Sequence, residues 1–445
     1  MTAWQVLALG YLLVIITGTI GLCFPFATKA GESTSFLGAL FTSTSATCVT
    51  GLVVYDTNTH WTGFGQAVIL CLIQIGGLGF MTFVSLLFKI IGKNLRMSER
   101  KILMISAGEE KQSELRRLFK RILLGTLCFE TVGAIVLSTR FIPDFGFGKG
   151  VYYSVWHSVS AFCNAGFDLM GGAGGKFVSL TAYATDPVVS LTICFLIIIG
   201  GLGFCVWDNL LASKGNGKHF TLHTKVALSA TGFLLAVSTL LFLFFEWKNP
   251  AFSQYTFGEK LLISFFNATT PRTAGFNVVD YTSLSDSSFL LTVMLMFIGG
   301  SSGSTAGGVK ITTFFVICAG IVAVFRGKRD IELGKRRVHN SLLRQALAVF
   351  VSCLFILLIA TLALCSIEAN NVDATFQAVL FETVSAIGTV GLSMGLTPTL
   401  SSASLCILIF LMYAGRVGIL TIGLAFAEKK DFSEIKKPID TVLIG

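Results

Sequence analysis

Seven stretches of this sequence contain no Asp, Glu, Lys or Arg: Met1–Thr28, Thr57–Phe88, Pro187–Trp207, Val226–Phe245, Ser287–Val309, Gln345–Ile367 and Thr383–Gly415. A helix needs about 20 apolar residues to cross a hydrocarbon core roughly 30 Å thick, so these stretches predict transmembrane helices. The composition agrees. Of 445 residues, 53% are hydrophobic and only 13% charged, too few to cover a water-soluble fold, where about 25% is usual. A soluble globular enzyme and a disordered chain are both excluded. Glycine is abundant at 46 residues and proline scarce at 7, which predicts long helices interrupted at chosen points. No basic segment precedes the first apolar run and no small-residue cleavage site follows it, so it reads as a retained span rather than a signal peptide.

The net charge of +9 is concentrated. Four segments, Lys89–Arg121, Lys214–Lys225, Arg326–Arg344 and the tail after Ala427, hold 24 of the 33 Lys and Arg residues. Each flanks an apolar run, and the positive-inside rule puts such segments in the cytoplasm, with both termini on that side. Anionic membrane lipid is therefore the expected partner for loose charges, and nucleic acid is not. The 11 cysteines form no CxxC pair and most lie within apolar runs, so they read as small core hydrophobes without a disulfide framework.

A fourfold repeat organises the chain. Thr42–Gly51 (TSTSATCVTG), His157–Gly166 (HSVSAFCNAG), Phe266–Gly275 (FNATTPRTAG) and Glu382–Gly391 (ETVSAIGTVG) align without gaps. Each closing glycine has an aromatic residue ten positions before it (Phe41, Trp156, Phe265, Phe381) and a hydroxyl six before it (Ser45, Ser160, Thr269, Ser385). Ser43, Ser158, Asn267 and Thr383 stand eight before. The segment ahead of each glycine predicts a helix too short to cross a membrane, hence a re-entrant one. A glycine cluster recurs in the following run, at Gly76–Gly77, Gly200–Gly201, Gly299–Gly300 and Gly415 with Gly418. The expected fold is therefore an all-α integral membrane protein. Four pseudo-symmetric span–pore helix–span repeats supply eight transmembrane helices and four re-entrant pore loops around one ion pore.

The corresponding division is repeat 1 over 1–92 (pore loop near 36–52), a basic linker over 93–119, and repeat 2 over 120–213 (loop near 151–167). Repeat 3 covers 214–325 (loop near 259–276), a second basic linker 326–342, repeat 4 343–427 (loop near 373–392), and a cytoplasmic tail 428–445. Irregular backbone at membrane depth is tolerated only where it is buried in protein or lines a watery path. Four such loops meeting on one axis present rings of backbone carbonyls, which replace the hydration shell of a cation. The negative ends of the short helices add to the preference for a cation. The candidate ion-binding residues are Cys48, Val49, Thr50 and Gly51; Cys163, Asn164, Ala165 and Gly166; Arg272, Thr273, Ala274 and Gly275; and Gly388, Thr389, Val390 and Gly391. The hydroxyls six before each glycine are expected to brace the loops from behind. The Arg272 side chain is expected behind its loop, since a cation aimed at the axis opposes another.

ATCVTGL at Ala46–Leu52, IQIGGLGFMTF at Ile73–Phe83, SAFCNAGF at Ser160–Phe167, TPRTAGF at Thr270–Phe276, MFIGGSSGSTAGGVK at Met296–Lys310 and TVGLSMGLTP at Thr389–Pro398 resemble the Ktr/Trk/HKT superfamily of potassium transporters. The resemblance is strongest to the bacterial Ktr-type membrane subunit and runs over essentially the whole chain. It implies potassium uptake across the bacterial cytoplasmic membrane and homodimers with one pore per subunit. It also implies a cytoplasmic regulatory partner with nucleotide-binding (RCK/KTN-type) domains. The chain itself then holds no cofactor: potassium is cargo, any nucleotide belongs to the partner, and whether sodium activates stays open. Glycine at all four loop ends resembles the potassium-selecting members, and Cys48 stands where a Thr is expected. A sodium-passing or unregulated member of the superfamily is the alternative.

Two charges lie deep in the apolar runs. Arg416 interrupts the last one, and an intramembrane charge is functional by default. It is expected just cytoplasmic of the ion-binding loops, where it slows permeation; a structural ion pair with Glu130 or Glu382 is the alternative. Gly299–Lys310 (GGSSGSTAGGVK) is a poor continuous helix. It is expected to form an intramembrane gating loop, with Gly299, Gly300, Gly303, Gly307, Gly308, Lys310 and Arg416 as the gate. Val309 spoils a phosphate-loop match at Gly303–Lys310, and His219 with His223 lacks a third metal ligand. No nucleophile–base set points to an enzyme.

Overall fold

The computed structural model describes residues 3–79, 112–172, 175–328, 330–333 and 336–426. The 80–83 end of one family motif, most of the first basic linker and the 428–445 tail fall outside them. The fold is mostly helical. Its only sheet among the described residues is a hairpin of β1 (Ile331–Leu333) and β2 (Arg336–Val338), pairing Ile331 with Val338.

The helices fall into four units of like order. Unit 1 has α1 (Ala3–Leu22), α2 (Phe36–Thr47) and α3 (Gly63–Leu78). Unit 2 has α4 (Gln112–Phe145), α5 (Phe147–Phe162), α6 (Pro187–Leu202) and α7 (Phe204–Ala212). Unit 3 has α8 (Leu222–Phe245), α9 (Phe257–Thr269), α10 (Asp286–Phe297) and α11 (Ile311–Phe325). Unit 4 has α12 (Asn340–Ile367), α13 (Phe376–Gly388), α14 (Ser402–Val417) and α15 (Ile419–Phe426). In each unit the first helix is long and apolar enough to cross a membrane: Trp4–Leu22, Arg121–Phe145, Leu222–Phe245 and Asn340–Ile367.

The helix starts are legible chemistry. Ser35, Thr375 and Ser401 accept a hydrogen bond from the backbone two or three residues on, as N-caps do. Thr256 and Glu259 make a reciprocal capping box at the start of α9. In units 3 and 4 the turn that ends the first helix is clamped by a carboxylate. Glu246, at the end of α8, accepts from Ser285 N–H at 3.0 Å and Ser285 Oγ at 2.6 Å. Glu368, at the end of α12, accepts from Ser401 N–H at 2.9 Å and Ser404 Oγ at 2.6 Å. Burial alone would raise the Glu368 carboxyl, but its hydrogen bonds from Ser401, Ser404 and Asn371 outweigh that and hold it down at about 2.

Packing closes the units into a ring. The helix that follows the short one in each unit lies against the short helix of the next unit: α3 on α5, α6 on α9, α10 on α13, and α14 back on α2. Within each of units 1, 2 and 4, a recurrent glycine seats the end of the short helix against the run that follows it. A Cβ on Gly76 would strike the Thr47 carbonyl, one on Gly200 the Phe162 carbonyl, and one on Gly415 the Ile387 carbonyl. Each of those carbonyls stands four residues before the closing glycine of its unit, so the three contacts are one contact repeated. The following runs are not continuous helices. They break at Gly79, Gly203 and Gly418, with φ of 83°, 98° and 91°, and α6 and α7 meet at 88°. Positive φ is accessible to glycine at little steric cost, and it ends a helix.

Valine at Gly76, Gly200 or Gly415 is therefore expected to prevent assembly. Valine at Gly232, which has nothing within 4 Å of its Cβ position, is expected to be tolerated, since valine is the better helix former of the two. Monodisperse elution of detergent-solubilised, fluorescently tagged protein reads the difference; equal profiles for Gly76→Val and Gly232→Val would refute the packing account.

Candidate functional site

The four short helices deliver their closing glycines to one place. A Cβ built on Gly51 would lie 2.5 Å from Ala165 O, with Gly391 Cα at 3.2 Å and Gly166 Cα at 3.3 Å. One on Gly166 would lie 2.8 Å from Ala274 O and 2.7 Å from Gly275 Cα. One on Gly275 would lie 2.7 Å from Val390 O, and one on Gly391 would strike Thr50 O. Each glycine thus faces the carbonyl that precedes the next glycine, round a closed cycle of four. Any side chain at these positions would displace a backbone oxygen of the neighbouring loop.

The loop backbone repeats as closely. Gly51, Gly166, Gly275 and Gly391 have φ of 95°, 70°, 78° and 89°. Two residues earlier, Val49, Asn164, Thr273 and Thr389 also lie in the left-handed region, at 56°, 59°, 66° and 50°. Non-glycine residues there cost roughly 1–3 kcal/mol each and persist only where the surroundings over-determine them. Those surroundings are visible. Thr50 N–H bonds to Ser45 O, Ala165 N–H to Ser160 O and Val390 N–H to Ser385 O, each at 2.8 Å. Gly51 N–H donates to Ser45 Oγ at 3.1 Å and Gly391 N–H to Ser385 Oγ at 3.0 Å. Trp156 Nε1 donates to Phe167 O at 3.0 Å, bracing unit 2. Cys48 and Cys163 cap α2 and α5, and Gly388 ends α13, so these three stand at helix ends rather than in the extended loops.

Two details differ from the ungapped alignment. The hydroxyl brace operates in units 1 and 4 alone: Ser160 Oγ is buried without a partner, and Thr269 Oγ1 bonds back to Phe265 O of its own helix at 2.8 Å. Unit 3 is also one residue shorter between its buried aromatic and its closing glycine. Ala274 N–H bonds to Thr270 O, four residues back, where its counterparts reach five. Accordingly Phe266, not Phe265, is the fully buried aromatic, and the Thr270 hydroxyl bonds to Phe276 O. The residues eight before the glycine tie the short helix to the first one in units 1, 2 and 4: Ser43 Oγ to Ile15 O at 2.7 Å, Ser158 Oγ to Glu130 O at 2.6 Å, and Thr383 Oγ1 to Thr361 Oγ1 at 2.9 Å. Shifted out of register, Asn267 leaves its Oδ1 unpaired.

On one side of the four glycines lies a cavity of about 390 Å³, lined by all four. Asp56, Asp168 and Asp280 also line it, and none of its lining residues is Lys or Arg. The field of this mouth favours cations. Sequence reasoning missed these three aspartates, although a signal was there for two of them: Asp56 and Asp280 each stand five residues after a closing glycine, while Asp168 stands two after Gly166.

On the other side lies the segment between α10 and α11. Gly299 N–H bonds to Val309 O at 2.8 Å and Ile311 N–H to Gly300 O at 3.0 Å, so Gly299–Lys310 leaves and returns at one point. Ser301 N–H donates to Gly201 O at 2.9 Å and Phe204 N–H to Gly303 O at 2.8 Å, pinning the loop to the bend between α6 and α7. Thr305 Oγ1 reaches Asn164 Oδ1 at 3.3 Å, and Gly307 and Gly308 abut Thr389 and Gly388. Lys310 Nζ donates back to Ala306 O at 2.5 Å. Arg416 donates to Thr305 O of this loop and to Gly76 O at the end of α3.

Arg416 therefore joins backbone carbonyls of two units rather than pairing with Glu130 or Glu382. Glu130 accepts from Gln74 Nε2 at 3.0 Å, beside Cys163 Sγ. Glu382 accepts from Ser393 Oγ and from Thr397 Oγ1 at 2.8 Å.

Residues 4–435 match the TrkH family, described as cation transport proteins. The chain belongs to that family. It is 42% identical to the Ktr system potassium uptake protein B of Bacillus subtilis, over 99% of this chain and 96% of the relative. It is 41% identical to the potassium/sodium uptake protein NtpJ of Enterococcus hirae, over 99% of this chain and 97% of that one. Both relatives carry the names of transport proteins, not enzymes. In fold the chain is similar to the crystal structure of the potassium transporter TrkH from Vibrio parahaemolyticus, with a TM-score of 0.74 and 16% identity, covering 95% of this chain and 84% of that one.

Ser45→Ala and Ser385→Ala each leave a buried glycine N–H unpaired, at about 1–3 kcal/mol. Both are expected to lower the melting temperature of the purified protein, whereas Ser160→Ala, which removes an oxygen without a partner, is not. Equal melting temperatures for all three would contradict the assigned brace.

Proposed function

We propose that this chain carries potassium ions into the bacterial cell through a carbonyl-lined filter at Gly51, Gly166, Gly275 and Gly391. The observation that supports this most directly is the closed cycle in which each glycine faces the carbonyl preceding the next. Such a ring substitutes for the water around a dehydrated cation, and the three aspartates of the adjoining cavity concentrate cations before it. In this reading the first helix of each unit and the helix after its filter loop span the membrane, giving eight spans, and α2, α5, α9 and α13 are re-entrant pore helices. Both termini and the basic segments are cytoplasmic. The filter consists of Val49–Gly51, Asn164–Gly166, Thr273–Gly275 and Thr389–Gly391, with Cys48, Cys163, Arg272 and Gly388 at its inner edge. Transport follows the electrochemical gradient. Two copies assemble, each with its own pore, on a cytoplasmic regulatory subunit that binds the nucleotide. The family resemblance and the naming of the Bacillus subtilis relative as part of a Ktr system support the assembly.

Gly299–Lys310 serves as the gate. Its contacts with Asn164, Gly388 and Thr389 set it directly beneath the filter, and Arg416 fastens it to the end of α3. The arginine also repels the passing ion: at roughly 8 Å and an effective dielectric near 20 the cost is about 2 kcal/mol.

Rubidium uptake by bacteria lacking their own potassium uptake tests the function. The wild-type chain is expected to restore uptake, and Gly51→Ser or Gly391→Ser to reduce it at least about tenfold, since about 1.4 kcal/mol is a factor of ten. Gly232→Ala serves as the control. Undiminished uptake in both filter variants would overturn the proposal. A sodium-passing transporter is the second reading, favoured by similarity to a protein named for potassium and sodium uptake. Sodium that competes with rubidium at equal concentration would decide for it.

For the gate, Arg416→Met removes both carbonyl contacts and the charge. Uptake is expected to rise several-fold, and an unchanged or lower rate in a normally inserted variant would count against the assigned role.

A further inference from the structure

Arg272 is an unusual residue to find beside a cation path. It is 5% exposed. Its Nη2 reaches Thr231 Oγ1 of α8 at 3.3 Å, and its Nε is buried with no partner. Among the described residues no ion pair includes it. A buried charge normally draws a counter-charge. Here the guanidinium is left with one neutral hydroxyl, so its field is not cancelled locally.

The backbone fixes where that field acts. Arg272 N–H bonds to Thr269 O, the last carbonyl of α9. A cation just past a helix C-terminus offsets the negative end of the helix dipole. The other three short helices end without a Lys or Arg in their last turn or in the three residues that follow. Two residues beyond Arg272, Ala274 presents its carbonyl toward Gly166; two residues of backbone reach about 7 Å at most, and an extended arginine side chain about as far again, so the guanidinium lies within roughly 15 Å of that carbonyl. At that range one uncompensated charge changes ion binding by about fivefold at an effective dielectric of 20.

We propose that the Arg272 side chain lowers the affinity of the filter for its ion, making the third wall the weak one. Release into the cell is thereby favoured over tight occupancy. This rests on the transport reading above. It concerns the side-chain charge, not the backbone atoms of the same residue.

The test is the KM and maximal rate of rubidium uptake for three variants matched for membrane abundance. Arg272→Met removes the charge at similar length and is expected to lower KM about five- to tenfold without raising the maximal rate. Arg272→Lys keeps the charge and is expected to hold KM closer to wild type than Arg272→Met does. Thr231→Asp leaves the arginine in place and supplies a counter-charge beside it, and is expected to lower KM in the same direction. Should Arg272→Met fail to insert, Thr231→Asp carries the measurement. An unchanged or raised KM in Thr231→Asp overturns the proposal, as does equal loss of uptake in Arg272→Met and Arg272→Lys, which indicates a structural role only. A wild-type chain that carries no rubidium overturns the transport reading and this inference with it. Wild-type uptake with an unmoved KM in the variants overturns this inference alone.

Discussion

Everything in this structure depends on backbone meeting backbone at the ring axis. Four loops approach so closely that only hydrogen fits at Gly51, Gly166, Gly275 and Gly391, and each loop's carbonyl is held against its neighbour's glycine. Backbone at such proximity, within an apolar surround, has to be over-determined or it collapses. The short helices supply that determination, ending four residues before the glycine in units 1 and 2 and three before it in unit 4. Their own positions are set in turn by glycines on the adjoining helices, which allow carbonyl contact where any side chain would intervene. Glycine thus acts at two radii: on the axis, to admit four loops, and one layer out, to seat the helices that carry them.

Much of this was legible in the sequence. Uncharged runs divided by basic segments announce an all-helical membrane protein, and the family motifs are read directly. The spacing that recurs before each closing glycine picks out the four residues that converge. What the sequence conceals has physical reasons. Val49 and Thr389 give no hint of left-handed backbone, because their conformation is imposed by hydrogen bonds from the helix behind them. The shortening of unit 3 by one residue is invisible to an ungapped alignment, since Phe265 and Phe266 are the same residue type and Thr269 and Thr270 share a hydroxyl. Only the three-dimensional register decides which of each pair is inside. The partners of Arg416 were unreadable for a different reason: they are carbonyl oxygens, which every residue has.

The side of the ring opposite the aspartate-lined cavity shows how a broken helix differs from a failed one. The run after each closing glycine is apolar enough to continue as helix, yet it stops at Gly79, Gly203 and Gly418, and in unit 3 a whole segment departs. The carbonyls released by these breaks do not go unused. Gly76 O takes Arg416, and Gly200 O and Gly201 O take Thr305 N–H and Ser301 N–H. A polar lattice therefore runs beneath the ring in a layer otherwise apolar. Its groups satisfy one another through contacts between units rather than within them, so loosening one unit loosens its neighbours' hydrogen bonds as well.

The closure of α14 on α2 joins one of the last helices of the chain to one of the first. During synthesis, therefore, the fourth side of the ring is missing until residues beyond 402 have entered the bilayer. Until then the apolar residues Phe41, Cys48 and Leu52, which share one hydrophobic cluster with Leu408, Leu411 and Met412 of α14 in the finished molecule, lack that part of their cover. A chain stalled short of that point therefore carries an open seam along α2, and the fold becomes complete only when nearly all of it has been made.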